Sequence, residues 1–303
     1  MIYKSRTEPP ELSILKSLFS RRELSQEDMQ QILYLQKGHE GEMYLDSLLE
    51  KLSMECLVLN DLRLMYTGTF FQIDSLIIAS GSIYLLEVKN YEGDYYYEAG
   101  KLYKNPRYEV ANPLHQLNRT ETLLRQLLQK LGCTTPISSS VIFTHPEFTL
   151  FQAPTNKPIV LPTSINRFFG TLNNTPSRIQ EKHRLLAKQL TAMHIQDYPH
   201  KTLPPYKFEE LRKGIPCAAC KSFVTHSNTK EVICETCRYK ETVEESVLRM
   251  TREIILLFPE KRITTILVSQ WCREQLPIRK IQKILELNYK KTGVGRGTYY
   301  EKQ

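Results

Sequence analysis

The chain has 303 residues, 41% of them hydrophobic and 24% charged, enough for about two domains with at least one sizeable core, which excludes collagen-like, disulfide-scaffold and disordered classes. No run nears the roughly 18 apolar residues of a membrane span, and Met1 to Pro10 lacks the apolar centre of a secretory signal, so a cytoplasmic location and no membrane partner are expected. The formal charge of +8 is uneven: residues 1–200 hold 21 basic and 21 acidic side chains, whereas the remaining 103 hold 20 and 12.

Residues 1–36 read as an N-terminal helical arm, with Leu12, Leu15, Leu18 and Phe19 at helical spacing and a second apolar group at Ile32, Leu33 and Leu35. After Gly38 a helix carries the stripe Leu45, Leu48, Leu49 and Leu52. Strands are expected at Cys56–Leu62, Phe70–Ala79 and Ser82–Lys89, separated by turns at Gly68 and Gly81. The tyrosine-rich stretch from Asp94 to Tyr103 reads as a hairpin broken at Gly100. Asn112-Pro113 opens a helix to about Lys130, with proline in the first turn where no donor is needed. Further strands fall at Ser139–Thr144 and Ile159–Leu161, and a helix at Arg178–Ile195. A domain over 37–197 is then followed by a linker at 198–211, marked by Pro199, Pro204 and Pro205, a cysteine module at 212–240 and a basic helical module at 244–303.

Of the seven cysteines, four form Cys217-x-x-Cys220 and Cys234-x-x-Cys237, separated by 13 residues. This is the two-knuckle spacing of a zinc ribbon, in which each pair converges on one ion and a hairpin, here Ser222–Thr225 with Glu231–Ile233, closes the tetrahedron. Four ligands leave no open position, so one structural Zn²⁺ is expected. The competing reading, a redox C-x-x-C, does not normally come as two matched pairs.

The segments Gln72-Ile73-Asp74 and Glu87-Val88-Lys89-Asn90 lie on apolar strands. Side chains alternate along a strand, so Glu87 and Lys89 share a face, and antiparallel neighbours can set Asp74 beside Glu87. Buried carboxylates need a partner or a cation. Asp74 and Glu87 would hold Mg²⁺ or Mn²⁺ while Lys89 orients or activates the water and offsets phosphate charge, as in a metal-dependent phosphodiesterase. The competing reading is a structural ion pair. Glu42 lies three residues before Leu45 on the inward side of its helix, and Gln116 lies on the turn opening the Pro113 helix. His39, His115 and His145 lie nearby, but a histidine beside carboxylates is more often structural.

Through Gly38-x-x-Gly41-Glu42, Gln72-Ile73-Asp74, Glu87-Val88-Lys89-Asn90 and Asn112-Pro113-x-x-Gln116, residues 37–145 resemble the nuclease-related domain, NERD, of the PD-(D/E)XK superfamily. The resemblance implies an α/β fold, a restriction-endonuclease-like mixed sheet flanked by helices. It further implies an active site of Asp74, Glu87 and Lys89, with Glu42 and Gln116 lining the same cleft.

From Arg279 onward, Arg279, Lys280, Lys283, Lys290, Lys291, Arg296 and Lys302 face only Glu286 and Glu301. A helix over Ile263–Trp271, a break at Leu276-Pro277 and a second helix through Ile278, Ile281, Ile284 and Leu285 loosely resemble a helix-turn-helix. The glycines 293, 295 and 297 with Tyr299 and Tyr300 would form a wing or arm. Arg279, Lys280, Lys283, Lys290, Lys291 and Arg296 are the expected nucleic-acid contacts, against a plain helical interaction module with a solvated face. The leading expectation is a divalent-metal-dependent nuclease acting on DNA. The alternative is a non-catalytic nucleic-acid-binding or protein-interaction protein that keeps the fold as a scaffold.

Overall fold

Apolar runs such as Leu76-Ile77-Ile78 and Leu85-Leu86 suit strands covered on both faces, because every residue then meets a core whichever way it points. The structure, a computed structural model, describes residues 1–195, 203–228 and 230–301. A short strand, β1 (Ile2–Lys4), precedes helices α1 (Pro10–Arg21) and α2 (Gln26–Leu49). Strands β2 (Leu57–Tyr66), β3 (Thr69–Ile78), β4 (Ile83–Lys89), β5 (Gly93–Glu98), β6 (Lys101–Lys104) and β7 (Tyr108–Val110) lead to α3 (Pro113–Lys130). Then come β8 (Ile137–Phe143), β9 (Phe148–Phe151), β10 (Ile159–Val160), α4 (Ile165–Asn173) and α5 (Glu181–Ala192). The last third holds β11 (Thr225–Ser227), β12 (Glu231–Cys234), β13 (Lys240–Thr242), α6 (Val243–Leu257), α7 (Thr265–Trp271), α8 (Ile278–Asn288), β14 (Lys290–Thr292) and β15 (Tyr299–Glu301).

The chain divides into two units, Met1–Glu8 with Leu33–His200 and Pro9–Ile32 with Lys201–Gln303. The first is a mixed six-stranded sheet of order β1-β2-β3-β4-β8-β10 between helices. On one face Leu57, Leu59 and Leu85 pack with Leu117, Leu124 and Leu127 of α3 and Leu190 of α5. On the other, Val58, Ile77, Leu86 and Ile142 pack with Leu45 and Leu49 of α2 and Phe169 of α4. Each such fully buried side chain contributes about 1.5–3 kcal/mol, so the two faces together fix which way every strand residue points.

Four expectations change. The helix carrying Glu42 does not begin after Gly38 but at Gln26, running through both glycines; a glycine costs a helix interior only about 1 kcal/mol, less than the burial of Leu45 and Leu49 returns. The first 36 residues are not one arm, since Met1–Glu8 groups with the sheet, β1 pairing parallel with β2. The Asp94–Tyr103 hairpin is half of a four-stranded sheet of order β7-β6-β5-β9, completed by β9, a strand absent from the sequence reading, which pairs parallel with β5. Residues 198–202 of the expected linker lie outside the described residues, while Phe208 and Leu211 at its end are buried in the second unit's core.

In the second unit, Thr242 caps α6 by accepting from the Glu245 N–H at 3.1 Å. The buried Arg21 guanidinium of α1 donates to both carboxylate oxygens of Glu253, at 2.8 and 2.5 Å, and lies 4.0 Å from the Trp271 ring centre. Helices α7 and α8 are followed by the hairpin β14–β15, and Ile263 bridges to Tyr300. Among the described residues no helix is long and apolar enough to cross a membrane.

Candidate active site and metal centre

Strands β3 and β4 pair antiparallel from Ile78 opposite Ile83 to Ser75 opposite Leu86, and Asp74 and Glu87 follow just past that last pair. Asp74 Oδ2 accepts from the Val88 N–H at 2.8 Å. Both carboxylates are buried, at 7% and 2% exposure. Burial, with Glu87 and then Glu42 nearby, raises the Asp74 carboxyl well above its usual range. Burial likewise raises Glu87, against the pull of Lys89. The Lys89 ammonium donates to Glu87 Oε1 at 2.7 Å and to Gln116 Oε1 at 3.1 Å. Burial opposes its charge, but Glu87 and Asp74 outweigh that and raise its pKa. Lys89 is therefore a fixed cation and donor at neutral pH rather than a free amine base.

Gln116 reaches Lys89 because the start of α3 is pinned. Asn112 Oδ1 accepts from the Leu114 N–H at 3.0 Å, its amide donates to the Gly100 carbonyl at 2.8 Å, and Pro113 fills the first helical position. Glu42 is placed by a second device. A Cβ added to Gly41 would lie 2.5 Å from Asn90 Cβ and 2.7 Å from Thr144 Oγ1, so only glycine lets α2 lie against the end of β4. Asn90 then donates to the Lys37 carbonyl at 2.8 Å.

Residues the sequence did not single out complete this corner. Arg6, just after β1, has a side chain only 1% exposed and donates to Glu42 Oε2 at 3.0 Å. It also grips both Asp46 oxygens, at 3.0 and 3.1 Å, the Asp74 carbonyl at 2.8 Å and Ser75 Oγ at 3.2 Å. Asp46 stands four residues after Glu42 and hence on the same helix face, a spacing that could have revealed it. Arg6 offered no local signal, since its partners lie 36 to 69 residues away.

Asp74, Glu87, Lys89 and Gln116 thus form one connected group, with Glu42 joined to it through Arg6. Gln72 does not join it and instead donates to Asp61 Oδ1 at 3.0 Å. His39 Nδ1 is buried without a hydrogen bond, 3.8 Å from Glu42 Oε2. Among the described residues, three carboxylates nowhere converge within 4.8 Å; Arg6 and Lys89 divide the acids between them. Two buried oxygen-donor carboxylates that repel each other still suit a hard divalent ion, which keeps most of its ligands as water.

The cysteines do converge. The sulphurs of Cys217, Cys220, Cys234 and Cys237 lie within 4.8 Å of one another. Contacts join the two knuckles, Cys217 to Cys237 and Cys220 to Cys234, each at 3.6 Å. A tetrahedron with Zn–S of about 2.3 Å has S···S edges of about 3.8 Å, so the spacing suits a zinc ribbon better than a redox C-x-x-C. Backbone N–H groups of Cys237 and Thr236 help pull the Cys234 thiol down to about 6. Cys220, although the Ser222 backbone favours its thiolate, is pushed up to about 12 by hydrogen bonding with Cys237, by burial, and by hydrogen bonding with Cys234 and Cys217. The supporting sheet is β11-β12-β13, with the first strand at Thr225–Ser227 rather than Ser222–Thr225.

Of the basic residues expected at nucleic acid, Arg279 and Lys283 are exposed on α8 and Lys280 is half-buried there; Lys290 and Lys291 are exposed on β14. Lys291 donates to Glu286 at 2.7 Å. The Arg296 side chain and Lys302 lie outside the described residues.

Residues 37–144 match the family model of the nuclease-related domain, NERD, about a third of the chain. That match, with the mixed sheet and the four-cysteine cluster, defines a nuclease-related fold accompanied by a cysteine centre compatible with a zinc ribbon. No curated protein and no solved structure matches the chain.

Proposed function

We propose that the first unit is a divalent-metal-dependent nuclease that hydrolyses phosphodiester bonds in DNA. The observation that carries this reading is the junction of Asp74, Glu87, Lys89 and Gln116, where two buried acids with raised pKa values meet a lysine fixed by one of them. Asp74 and Glu87 would hold Mg²⁺ or Mn²⁺, which when bound supplies Lewis acidity at the phosphate and a more acidic water. Lys89 keeps its proton, so its part is to offset negative charge at the phosphoryl group and to orient an attacking water by donation. Gln116 holds Lys89 in place, and Glu42, gripped by Arg6, lines the same cleft. One Zn²⁺ on Cys217, Cys220, Cys234 and Cys237 is structural, while Arg279, Lys280, Lys283, Lys290, Lys291 and Arg296 contact phosphates.

A non-catalytic scaffold has one observation in its favour: Arg6 and Lys89 already form ion pairs with Glu42, Asp46 and Glu87. Incubation with single-stranded, duplex and branched DNA and with RNA, with and without Mg²⁺ or Mn²⁺, separates the two. The nuclease reading expects metal-dependent cleavage that Asp74→Ala, Glu87→Ala and Lys89→Ala each abolish while circular dichroism and zinc content stay unchanged. If no substrate is cut and Mg²⁺ never shifts the unfolding transition, the scaffold reading replaces it.

A further inference from the structure

Between α1 and the first cysteine knuckle, wholly within the second unit, runs an open groove of about 480 Å³, inside the roughly 300–1,000 Å³ range of ligand clefts. Its walls carry Lys16, Phe19, Arg212, Lys221, Phe223 and Val224, and among the described residues no carboxylate lines it. Phe19 and Val224 are 54% and 53% exposed. Phe19 and Val224, exposed beside Arg212 and Lys221, suit a partner that is both anionic and flat-faced.

The groove is held in shape. The Arg212 N–H donates to the Arg21 carbonyl at 3.0 Å, and the Arg21 guanidinium returns a bond to the Arg212 carbonyl at 2.7 Å, tying α1 to the segment that leads into the knuckle. Gly214 sits at φ +128°, and a Cβ there would meet the Phe223 ring at 3.1 Å, so the ring packs onto bare backbone. Arg212 lies 4.3 Å from the centre of that ring, which keeps a cation at the wall. Lys221, at φ +62°, turns the chain out of Cys217-x-x-Cys220. The unit as a whole holds 23 Lys and Arg against 16 Asp and Glu.

We infer that this groove binds single-stranded nucleic acid, with a base stacked on Phe19 and the flanking phosphates on Lys16, Arg212 and Lys221. Aromatic faces beside a cationic track are how strands are held without sequence preference, because every base has a π face and every nucleotide a charge. In a duplex the bases are already stacked and cannot enter, so the groove discriminates for unpaired strand. The inference stands on the second unit and does not depend on whether the first unit cleaves anything.

The test is fluorescence anisotropy with a labelled 20-nucleotide single strand and a duplex of equal length, using the full zinc-loaded chain with no added Mg²⁺, at several salt concentrations. Phe19→Ala should weaken the single strand by about 5- to 150-fold and the duplex far less. Lys221→Glu should weaken it too and lower its log–log salt slope by about 0.7 or more. Both side chains are exposed, so zinc content and the unfolding transition should stay those of the parent. The inference is overturned if neither variant changes single-strand affinity, if Phe19→Ala weakens both substrates equally, or if polyglutamate competes as well as an oligonucleotide of equal charge, which would make the groove a site for an acidic protein. Absence of cleavage in any assay leaves it untouched.

Discussion

Removing Arg6 should show how the acidic corner is held together. The guanidinium is buried and donates to Glu42, both oxygens of Asp46, the Asp74 carbonyl and Ser75. In Arg6→Ala the carboxylates of Glu42 and Asp46, 20% and 10% exposed, lose their guanidinium partner. Breaking a buried pair from one side costs about 3–5 kcal/mol, and because part of Glu42 is wet the lower end applies, about 3 kcal/mol. For a unit of this size that is roughly 6–12 °C of thermal midpoint. Arg6→Lys keeps the charge but loses the planar fork and should cost about half as much. Two units need two probes. Hydrogen exchange at the β3 and β4 amides reports the first, and fluorescence of the sole tryptophan, Trp271, reports the second. The expected result is faster exchange in β3 and β4 with the Trp271 transition unmoved. A loss below about 1 kcal/mol, or one confined to Trp271, would refute the claim that Arg6 neutralises this corner.

Gly41→Ala should destabilise the first unit by about 1–3 kcal/mol through overpacking against Asn90 and Thr144, whereas Gly38→Ala, facing open space, should raise stability by about 0.5–1 kcal/mol; urea unfolding measures both. Burial raises Asp74 and Glu87, so the folded chain holds their protons more tightly than the unfolded chain does. Their stabilising contribution is full below the ordinary carboxylate pKa of about 4 and is lost as pH rises through the raised values. Asp74→Asn without divalent ions should therefore be more stable than the parent at neutral pH, the gap closing in acid; thermal melts across pH check it, and a gap of opposite sign would contradict the burial argument. Metal analysis of chelator-free protein should give one zinc per chain, with Cys217→Ser losing it together with the exchange protection of β12.

Much of the site was legible because it follows from strand periodicity. Asp74, Glu87 and Lys89 sit on runs too apolar to be exposed, and alternation alone puts Glu87 and Lys89 on one face, where the structure joins them. The cysteine spacing was equally informative, since two knuckles over a hairpin leave little freedom in where the sulphurs meet. What escaped was what depends on distant parts of the chain. Strand β1 is three residues long and gains its place only from β2, some 55 residues on, and Arg6 follows it. Strand β9 forms only because β5 offers it an edge. Gly38 looked like a helix boundary because the helix upstream is nearly uniform in polarity around its axis, so no apolar stripe announced its continuity through the glycines.

The second unit is assembled from the two ends of its stretch of chain, and this sets an order of events during synthesis. Arg21 of α1 and its partner Glu253 are 232 residues apart, and Ile14 and Leu18 belong to the same core as Val247, Ile254 and Trp271. At about 5–20 residues per second, a nascent α1 waits roughly 10–50 s before α6 emerges to cover it. Throughout that interval the first unit's strands are being made while the buried face of α1 has no partner. A chain that stalls before Val243 leaves that helix bare, a ready handle for holdase chaperones and for degradation of incomplete products.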